Sequence, residues 1–122
     1  MGLVNKTFER FDFMKTKSCF CIRIKLNGEI GAEVKNGYVE RVGERVYGYD
    51  KRLGYWYITD CNTGLLINTF PKLKDCQDYL NEHFFIIEQF CKNRKDDLND
   101  EKFNRAVSVL KYEKENNQCS QS

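Results

Sequence analysis

The sequence predicts an α+β fold: an antiparallel meander sheet of five or six strands followed by two amphipathic helices packed on one face. Up to residue 70, short segments of alternating apolar and polar residues are separated by turn-forming pairs such as Asn27-Gly28 and Asn36-Gly37. After Pro71, apolar residues recur every three or four positions, as in a helix with one buried face. A chain of 122 residues suits one domain. We place it at residues 1–115, before a disordered tail at 116–122.

The first clear strand spans residues 19–26, where Phe20 and Ile22 alternate with Cys21 and Arg23. Because Asn-Gly tolerates the positive φ angles of a tight hairpin, the pair at 27–28 predicts a return strand. A short N-terminal element is expected at 1–17. Further strands are predicted at 29–34, at 38–42 after the Asn36-Gly37 turn, and at 45–50, 54–60 and 64–70.

A turn is predicted at residues 60–64, Asp-Cys-Asn-Thr-Gly. The carboxylate of Asp60 is suited to accept backbone N–H groups two residues ahead, as in an Asx-turn. Gly64 is suited to the left-handed conformation that ends such a loop. This segment therefore joins two strands of the same sheet.

Two helices are predicted after the strands. The first follows Pro71, with acidic residues near its positive end. The second has a predicted N-cap at Asn99, and Leu98 with Phe103 would form a hydrophobic staple around it. The apolar stripe of the first helix consists of Leu73, Cys76, Leu80, Phe84, Ile87 and Cys91, and that of the second of Phe103, Ala106, Val107 and Leu110.

The composition is that of a well-solvated globular protein, with 31% charged residues, 14% aromatic residues and a net charge of +2. So small a net charge does not indicate the clustered basic face of non-specific nucleic-acid binders. No segment has the pattern of a signal peptide or the length of a membrane span, so we expect a cytoplasmic protein of a bacterial host cell. The six cysteines are then expected to be free thiols. The frequent Lys and Asn residues suggest a low-GC bacterium, or one of its phages or plasmids, as the source.

The sequence lacks the motifs of common hydrolases, nucleotide-binding enzymes and zinc proteases. We therefore expect a protein that is not an enzyme and has no cofactor. The sole histidine, His83, lies on the first predicted helix, where a packed or half-exposed role is favoured over a general base. Cys19, Cys21 and His83 offer a metal site as an alternative. Zinc sites usually have a second ligand pair downstream, so small buried thiols are favoured and no metal is expected.

The aromatic run from residue 47 to residue 57 is the most informative pattern. Alternation along a strand places Trp56 and Ile58 on one face and the tyrosines on the other. We expect the Trp56 face, with Val46, Leu65 and Ile67, to be buried under the helices. The side chains expected to point outward beside Arg45, as a candidate partner-binding surface, are Tyr47, Tyr49, Lys51, Arg52, Tyr55 and Tyr57.

Three interpretations of this tyrosine face are open. Tyrosines paired across strands support a sheet that has no partner. Tyrosine and arginine are also enriched at protein–protein hot spots, which favours a protein partner. Tyrosine can stack on bases while Lys or Arg binds phosphate, which favours nucleic acid, although the small net charge weighs against it.

Residues 55–82 resemble the arm-type DNA-binding domains of tyrosine integrases. The shared pattern is the aromatic strand Tyr55-Trp56-Tyr57, the turn Asp60-Cys61-Asn62-Thr63-Gly64, a further strand, and a helix around residues 74–82. In that family the sheet enters the DNA major groove, so the resemblance implies DNA binding. The strand after Gly64 is apolar here, where that of the family is basic, and Lys72 stands in place of the usual Thr cap.

The overall profile is similar in type to the anti-defence proteins of mobile elements, such as anti-CRISPR inhibitors. These are small α+β proteins that tolerate cysteine and carry no catalytic site. The resemblance implies a phage or mobile-element protein that binds and inhibits a host protein, for example a CRISPR nuclease or another immune effector. We therefore expect a protein partner, with nucleic acid as the alternative, and no membrane association.

Overall fold

The structure, a computed structural model, describes residues 17–121, with side chains described through residue 113. The strands form one antiparallel sheet in chain order, and two helices follow it, so the predicted α+β meander is confirmed. Except for Lys17, the predicted N-terminal element lies outside the described residues. The elements are β1 Lys17–Leu26, β2 Glu29–Val42, β3 Arg45–Arg52, β4 Tyr55–Asp60, β5 Leu66–Phe70, α1 Leu73–Asn93 and α2 Asp97–Gln121.

One of the two predicted Asn-Gly turns is present. Asn27 and Gly28 have φ angles of 53° and 83° and connect β1 to β2 as a two-residue hairpin turn. The turn predicted at Asn36-Gly37 is wrong, because β2 continues through both residues. A Cβ at Gly37 would lie 1.9 Å from the carbonyl oxygen of Tyr49. Glycine is therefore needed here for a close backbone approach, and the sheet has five strands.

Helix α1 packs on the central strands. Its buried apolar side chains are Cys76, Leu80, Ile87 and Cys91, as the helical spacing predicts, but Phe84 of the predicted stripe is 38% exposed. They form one cluster with side chains of β2, β3 and β4. The sheet residues of this cluster are Val42, Tyr47, Tyr49 and Ile58.

Strand β1 covers part of the opposite face of the sheet. Gly48 in β3 lies on the opposite face of the sheet from Tyr47 and Tyr49. A Cβ at Gly48 would lie 2.6 Å from the Phe20 ring. The backbone N–H of Arg23 donates to the carbonyl of Gly64 at 2.8 Å, although β1 and the β4–β5 loop are not neighbours in the sheet order. The sheet therefore curls until its first strand reaches that loop.

The Arg23 side chain attaches α2 to this curled edge. Its Nε donates to the carbonyl of Thr63 at 2.9 Å. Its guanidinium forms ion pairs with Asp96, at 3.3 Å, and with Asp100. It also lies 5.5 Å from the centre of the Phe103 ring, which is 1% exposed. One arginine thus connects β1, the β4–β5 loop and α2.

The start of α2 differs from the prediction. The helix begins at Asp97, and the side-chain amide of Asn99 donates to Asp96, so Asn99 lies inside the first turn. Leu98 is 65% exposed and does not form the predicted staple with buried Phe103. The helix backbone continues to Gln121, through most of the segment for which the sequence predicts a tail.

Candidate docking surface

Two of the expected contact residues are core residues. Tyr47 faces Asp60 and Tyr49 faces Ile58 across the β3–β4 ladder, so both tyrosines share the face that α1 covers. Each has 0% of its surface exposed. The expectation that Tyr47 and Tyr49 point outward was therefore wrong.

The error lies in the register between β3 and β4, since the alternation within each strand is as expected. A two-residue turn at Leu53-Gly54 makes Arg52 the partner of Tyr55. Counting back from that pair places Tyr49 opposite Ile58, on the same face. The Gly at position 54 was the signal in the sequence that could have fixed this register.

The other expected residues divide between the two faces of the hairpin. Arg52, Tyr55 and Tyr57 lie on the face away from α1, and Lys51 lies on the α1 side, opposite Trp56. Tyr55 is half exposed, whereas the Tyr57 ring lies under the Arg52 guanidinium at 4.2 Å. The structure therefore does not form one tyrosine surface.

The Arg52 guanidinium is already paired within the protein. It donates to both carboxylate oxygens of Asp50, at 2.6 and 3.0 Å. Hydrogen bonding to Asp50 raises the pKa of Arg52 above its ordinary value. Arg52 therefore stabilises the hairpin, and it has less capacity to bind an external anion than an unpaired arginine would have.

Leu53 is the residue that sequence reasoning missed. It is 98% exposed at the end of the β3–β4 hairpin, with a φ angle of 51°. The corresponding position of the β1–β2 hairpin is Asn27, with a φ angle of 53°. Asn tolerates this left-handed conformation, but a branched aliphatic residue there costs roughly 1–2 kcal/mol. Because the Leu53 side chain is almost fully exposed, it forms few contacts that offset this cost. Contacts within the fold therefore do not explain why leucine occupies this position.

We call the group Lys51, Arg52, Leu53 and Tyr55 the hairpin tip. It contains the three expected contact residues nearest the turn, together with Leu53. Both strands are paired up to the turn, so the tip is held rigidly. An exposed aliphatic side chain beside a half-exposed tyrosine is suited to an apolar contact with a partner.

Helix α1 carries a second exposed apolar surface. Phe85, Ile86 and Phe90 of this helix are 65–69% exposed. His83 is also exposed, and its ring lies against that of Tyr79, with ring centres 4.9 Å apart and planes tilted by 51°. Ile86 and Phe90 lie on the same flank of the helix as His83 and as Tyr79, which packs on Phe70, whereas Phe85 lies about 100° further round. The helical spacing in the sequence predicted only the buried face of this helix.

Three of the five described thiols are poorly suited to nucleophilic chemistry. Burial raises the pKa of Cys61 and of Cys76 to about 12, and that of Cys91 to about 11. These thiols are protonated near neutral pH, whereas the thiolate is the reactive form. Among the side chains described for residues 17–113, no group of three or more His, Cys, Asp or Glu residues could hold a metal ion. The alternative site of Cys19, Cys21 and His83 is therefore not assembled.

A buried polar cluster lies under the end of α1. Asp60 is fully buried, accepts two hydrogen bonds from Arg45 at 3.0 and 2.6 Å, and accepts one from the Thr63 hydroxyl at 2.6 Å. The turn at residues 60–64 is closed by a backbone hydrogen bond, in which the N–H of Gly64 donates to the Asp60 carbonyl at 2.7 Å. Gly64 has the predicted left-handed conformation, with a φ angle of 73°. The carboxylate thus binds side chains, where the sequence predicted an Asx-turn.

An open groove of about 570 Å³ lies on the Lys51 side of the hairpin. Its walls include the lysines at 17 and 51 and a pair of aromatic rings, Tyr38 and Trp56, with centres 6.1 Å apart. Two cations beside an aromatic pair are suited to binding an anion attached to a planar group.

No protein-family model matches the sequence, and no match was found among curated proteins or among solved structures. In the described part of the chain, neither helix combines the length and apolar content that crossing a bilayer requires.

Proposed function

We propose that this chain is a non-enzymatic binding protein that docks on another protein through the hairpin tip. The observation that carries the proposal is Leu53, an almost fully exposed leucine in a left-handed conformation that favours Asn or Gly. Strained conformations of this kind cluster at functional sites, because something other than stability retains them. A protein contact would bury the leucine and so account for the residue.

The chemistry of the tip favours a protein over a nucleic acid. Its prominent groups are the aliphatic side chain of Leu53 and the ring of Tyr55, which gain by burial against an apolar pocket. The nearest arginine, Arg52, is bonded to Asp50. Because the paired strands fix the tip before binding, little conformational entropy is lost on docking.

The partner class that we propose is a host immune effector such as a CRISPR nuclease. Its support is the resemblance in type to anti-defence proteins: a small α+β chain without a catalytic motif. Proteins of this kind act by occupying a surface of their target, which a rigid apolar tip is suited to do. Inhibition then follows from binding alone.

A plasmid-interference assay tests this proposal. Expression of the chain in bacteria whose CRISPR nuclease targets a plasmid should increase the number of transformants. Leu53→Asn preserves the turn and removes the apolar side chain, so it should lose this effect while its Tm rises. Leu26→Asn is the matched control, since Leu26 is 62% exposed at the other hairpin and should tolerate the change.

The outcomes separate the docking surface from the partner class. If Leu53→Asn inhibits as well as the wild type, the hairpin tip is not the docking surface. The assay is repeated with CRISPR nucleases of several types. If the wild-type chain leaves transformation unchanged with all of them, the proposal of a CRISPR nuclease as partner is wrong.

A nucleic-acid function is the second candidate, and the groove lined by Lys17, Lys51, Tyr38 and Trp56 favours it. Phosphate would bind the lysines while a base stacks on the rings. Fluorescence anisotropy with single-stranded and duplex probes should then give an affinity that falls steeply with salt. Lys51→Gln should reduce the slope by about one, and Lys25→Gln, a change at an exposed lysine elsewhere, should not. No binding at low salt would dispose of this candidate.

A further inference from the structure

We propose that a cavity between the sheet and α2 binds a medium-chain fatty carboxylate, with the alkyl chain inside and the carboxylate beside Lys111. The cavity has a volume of about 470 Å³ and lies on the face of the sheet away from α1. Small-molecule pockets in proteins usually measure about 300–1,000 Å³. The hairpin tip does not line this cavity, so the site is separate from the proposed docking surface.

The cavity begins where the packing of α2 on the rest of the fold ends. Phe103 is 1% exposed and lies against Arg23, at the position that a Cβ on Gly64 would occupy. Val107 and Leu110 continue the same helical stripe, four and then three residues further on, but they are only partly buried. Both line the cavity, so an apolar ligand there would bury them further.

Most of the remaining wall is also apolar. Burial raises the pKa of the Cys21 and Cys61 thiols, so both are protonated and act as small apolar groups. The Phe20 ring packs on Gly48 and is 7% exposed, which leaves little of it for stacking. The other apolar wall residues are Val34, Val39 and Val46. This lining favours an alkyl chain over a sugar or a nucleobase, because it offers few hydrogen bonds.

Lys111 is the only charged residue in the described lining. Its ammonium group lies close enough to the Cys21 sulfur to oppose the effect of burial on the pKa of that thiol. Lys111 is itself exposed, so a carboxylate beside it stays in water while the chain is buried. A single cation matches one negative charge, whereas a phosphate carries nearly two and is usually bound by several donors.

The first test is an NMR titration of the full chain, labelled at its valine methyl groups, with sodium decanoate. Binding should be sub-millimolar and should shift the signals of Val34, Val39, Val46 and Val107. The signals of Val42, which is buried on the α1 side, and of exposed Val109 should not move. Hexanoate should bind at least roughly tenfold more weakly, because each buried methylene contributes about a factor of four.

The second test concerns the carboxylate. Lys111→Gln should weaken octanoate binding by about two- to fivefold, as expected for an exposed ion pair, and should leave the binding of uncharged octanol unchanged. Lys102→Gln is the control, because Lys102 lies on the same helix but is paired with Glu29 and is not in the lining. Equal octanoate binding by Lys111→Gln and the wild type would overturn the assignment of Lys111.

The third test fills the cavity. Val107→Trp should abolish decanoate binding, whereas Val109→Trp, at a position of the same helix outside the lining, should bind as the wild type does. Circular dichroism checks that both variants are folded. If Val107→Trp does not fold, Val34→Glu replaces it. Val34 is 44% exposed, and a carboxylate there should repel decanoate and weaken binding at least roughly tenfold.

The absence of methyl shifts at millimolar decanoate would overturn the proposal, whether the cavity is then open or filled by residues 1–16. Equal shifts at Val42 and Val109 would also overturn it, because they would show the non-specific action of an amphiphile. Binding that the cavity-filling variants leave unchanged would place the site elsewhere. Leu53→Asn should bind decanoate as the wild type does, which separates this site from the hairpin tip.

Discussion

Tyr49 and Ile58 face each other across β3 and β4, and both side chains are fully buried beneath α1. Because of this pairing, the tyrosines of β3 and Ile58 of β4 lie on the same face of the sheet. It gives the core two large aromatic rings, Tyr47 and Tyr49, and it leaves Tyr55 and Tyr57 on the other face. The aromatic residues of one hairpin thus have two separate roles.

Truncation of Tyr49 and of Tyr55 should separate these roles. Tyr49→Ala opens a cavity in the core and should lower the free energy of unfolding by about 3–5 kcal/mol. Tyr55→Ala removes a half-exposed ring and should change it by less than about 1 kcal/mol. Urea unfolding followed by circular dichroism measures both values. Equal losses in the two variants would contradict the assignment.

The Tyr47 hydroxyl is buried and has no hydrogen-bond partner among the described residues. Burial also raises the pKa of Tyr47, which keeps the phenol neutral. Tyr47→Phe removes an unsatisfied polar atom, so the free energy of unfolding should stay the same or rise by up to about 1 kcal/mol. Tyr49→Phe is the matched control. It loses the bond that the Tyr49 hydroxyl donates to buried Glu40 and should lower stability by about 1 kcal/mol. A loss in Tyr47→Phe as large as that in the control would show that its hydroxyl is bonded.

The features that could be predicted from the sequence are those that depend on neighbouring residues. Alternation located β1, the Asn27-Gly28 pair located the first hairpin, and helical spacing identified the buried face of α1. Each of these patterns is complete within about twenty residues. Local preference and the final fold agree in these segments, so a local interpretation is sufficient.

The features that could not be predicted depend on contacts between distant segments. The β3–β4 register decides which face each tyrosine occupies, and one position of slip exchanges the faces. Arg23 meets Asp96 and Asp100 across 73 and 77 residues of sequence, and no local pattern pairs them. Gly37 resembles a turn residue, but the approach of Tyr49 is what requires it.

The cysteines should differ in their rates of alkylation. Cys19 is exposed, whereas Cys61, Cys76 and Cys91 have pKa values that burial raises to about 11–12. At pH 8, iodoacetamide should modify Cys19 well before these three, as peptide mass spectrometry would show. Rapid modification of Cys76 in the folded protein would contradict its burial.

The same thiols should make the fold sensitive to alkaline pH. A thiol whose pKa is raised by folding stabilises the native state below the pKa of the unfolded chain, which is about 8.5. That stabilisation is lost as the pH rises from there towards the raised values near 11–12. The Tm should therefore fall between about pH 9 and pH 11, and Cys76→Ser should reduce that dependence. An equal dependence in the variant would assign it to other groups.

At acid pH, the Arg23 contact should control stability. Partial burial of Asp100 opposes ionisation, but hydrogen bonds from Arg23 and then Arg94 outweigh it and lower the pKa of Asp100. A carboxyl whose pKa is lowered by folding stabilises the protein above its unfolded pKa, and this stabilisation is lost as the pH falls through the native value. Asp100→Asn should therefore lower the Tm at pH 7 and have less effect near pH 2. A constant difference between pH 7 and pH 2 would contradict this role of the charge.

A reciprocal exchange between the two hairpins tests whether Leu53 is retained at a cost in stability. Leu53 and Asn27 have nearly the same φ angle and each precedes a glycine. Leu53→Asn relieves the strain and should raise the free energy of unfolding by roughly 1 kcal/mol, or the Tm by about 3–6 °C. Asn27→Leu introduces the same strain in β1–β2 and should lower stability by a similar amount. Scanning calorimetry measures both changes. If Leu53→Asn is no more stable than the wild type, the leucine carries no strain, and the main support for a docking role at the hairpin tip is lost.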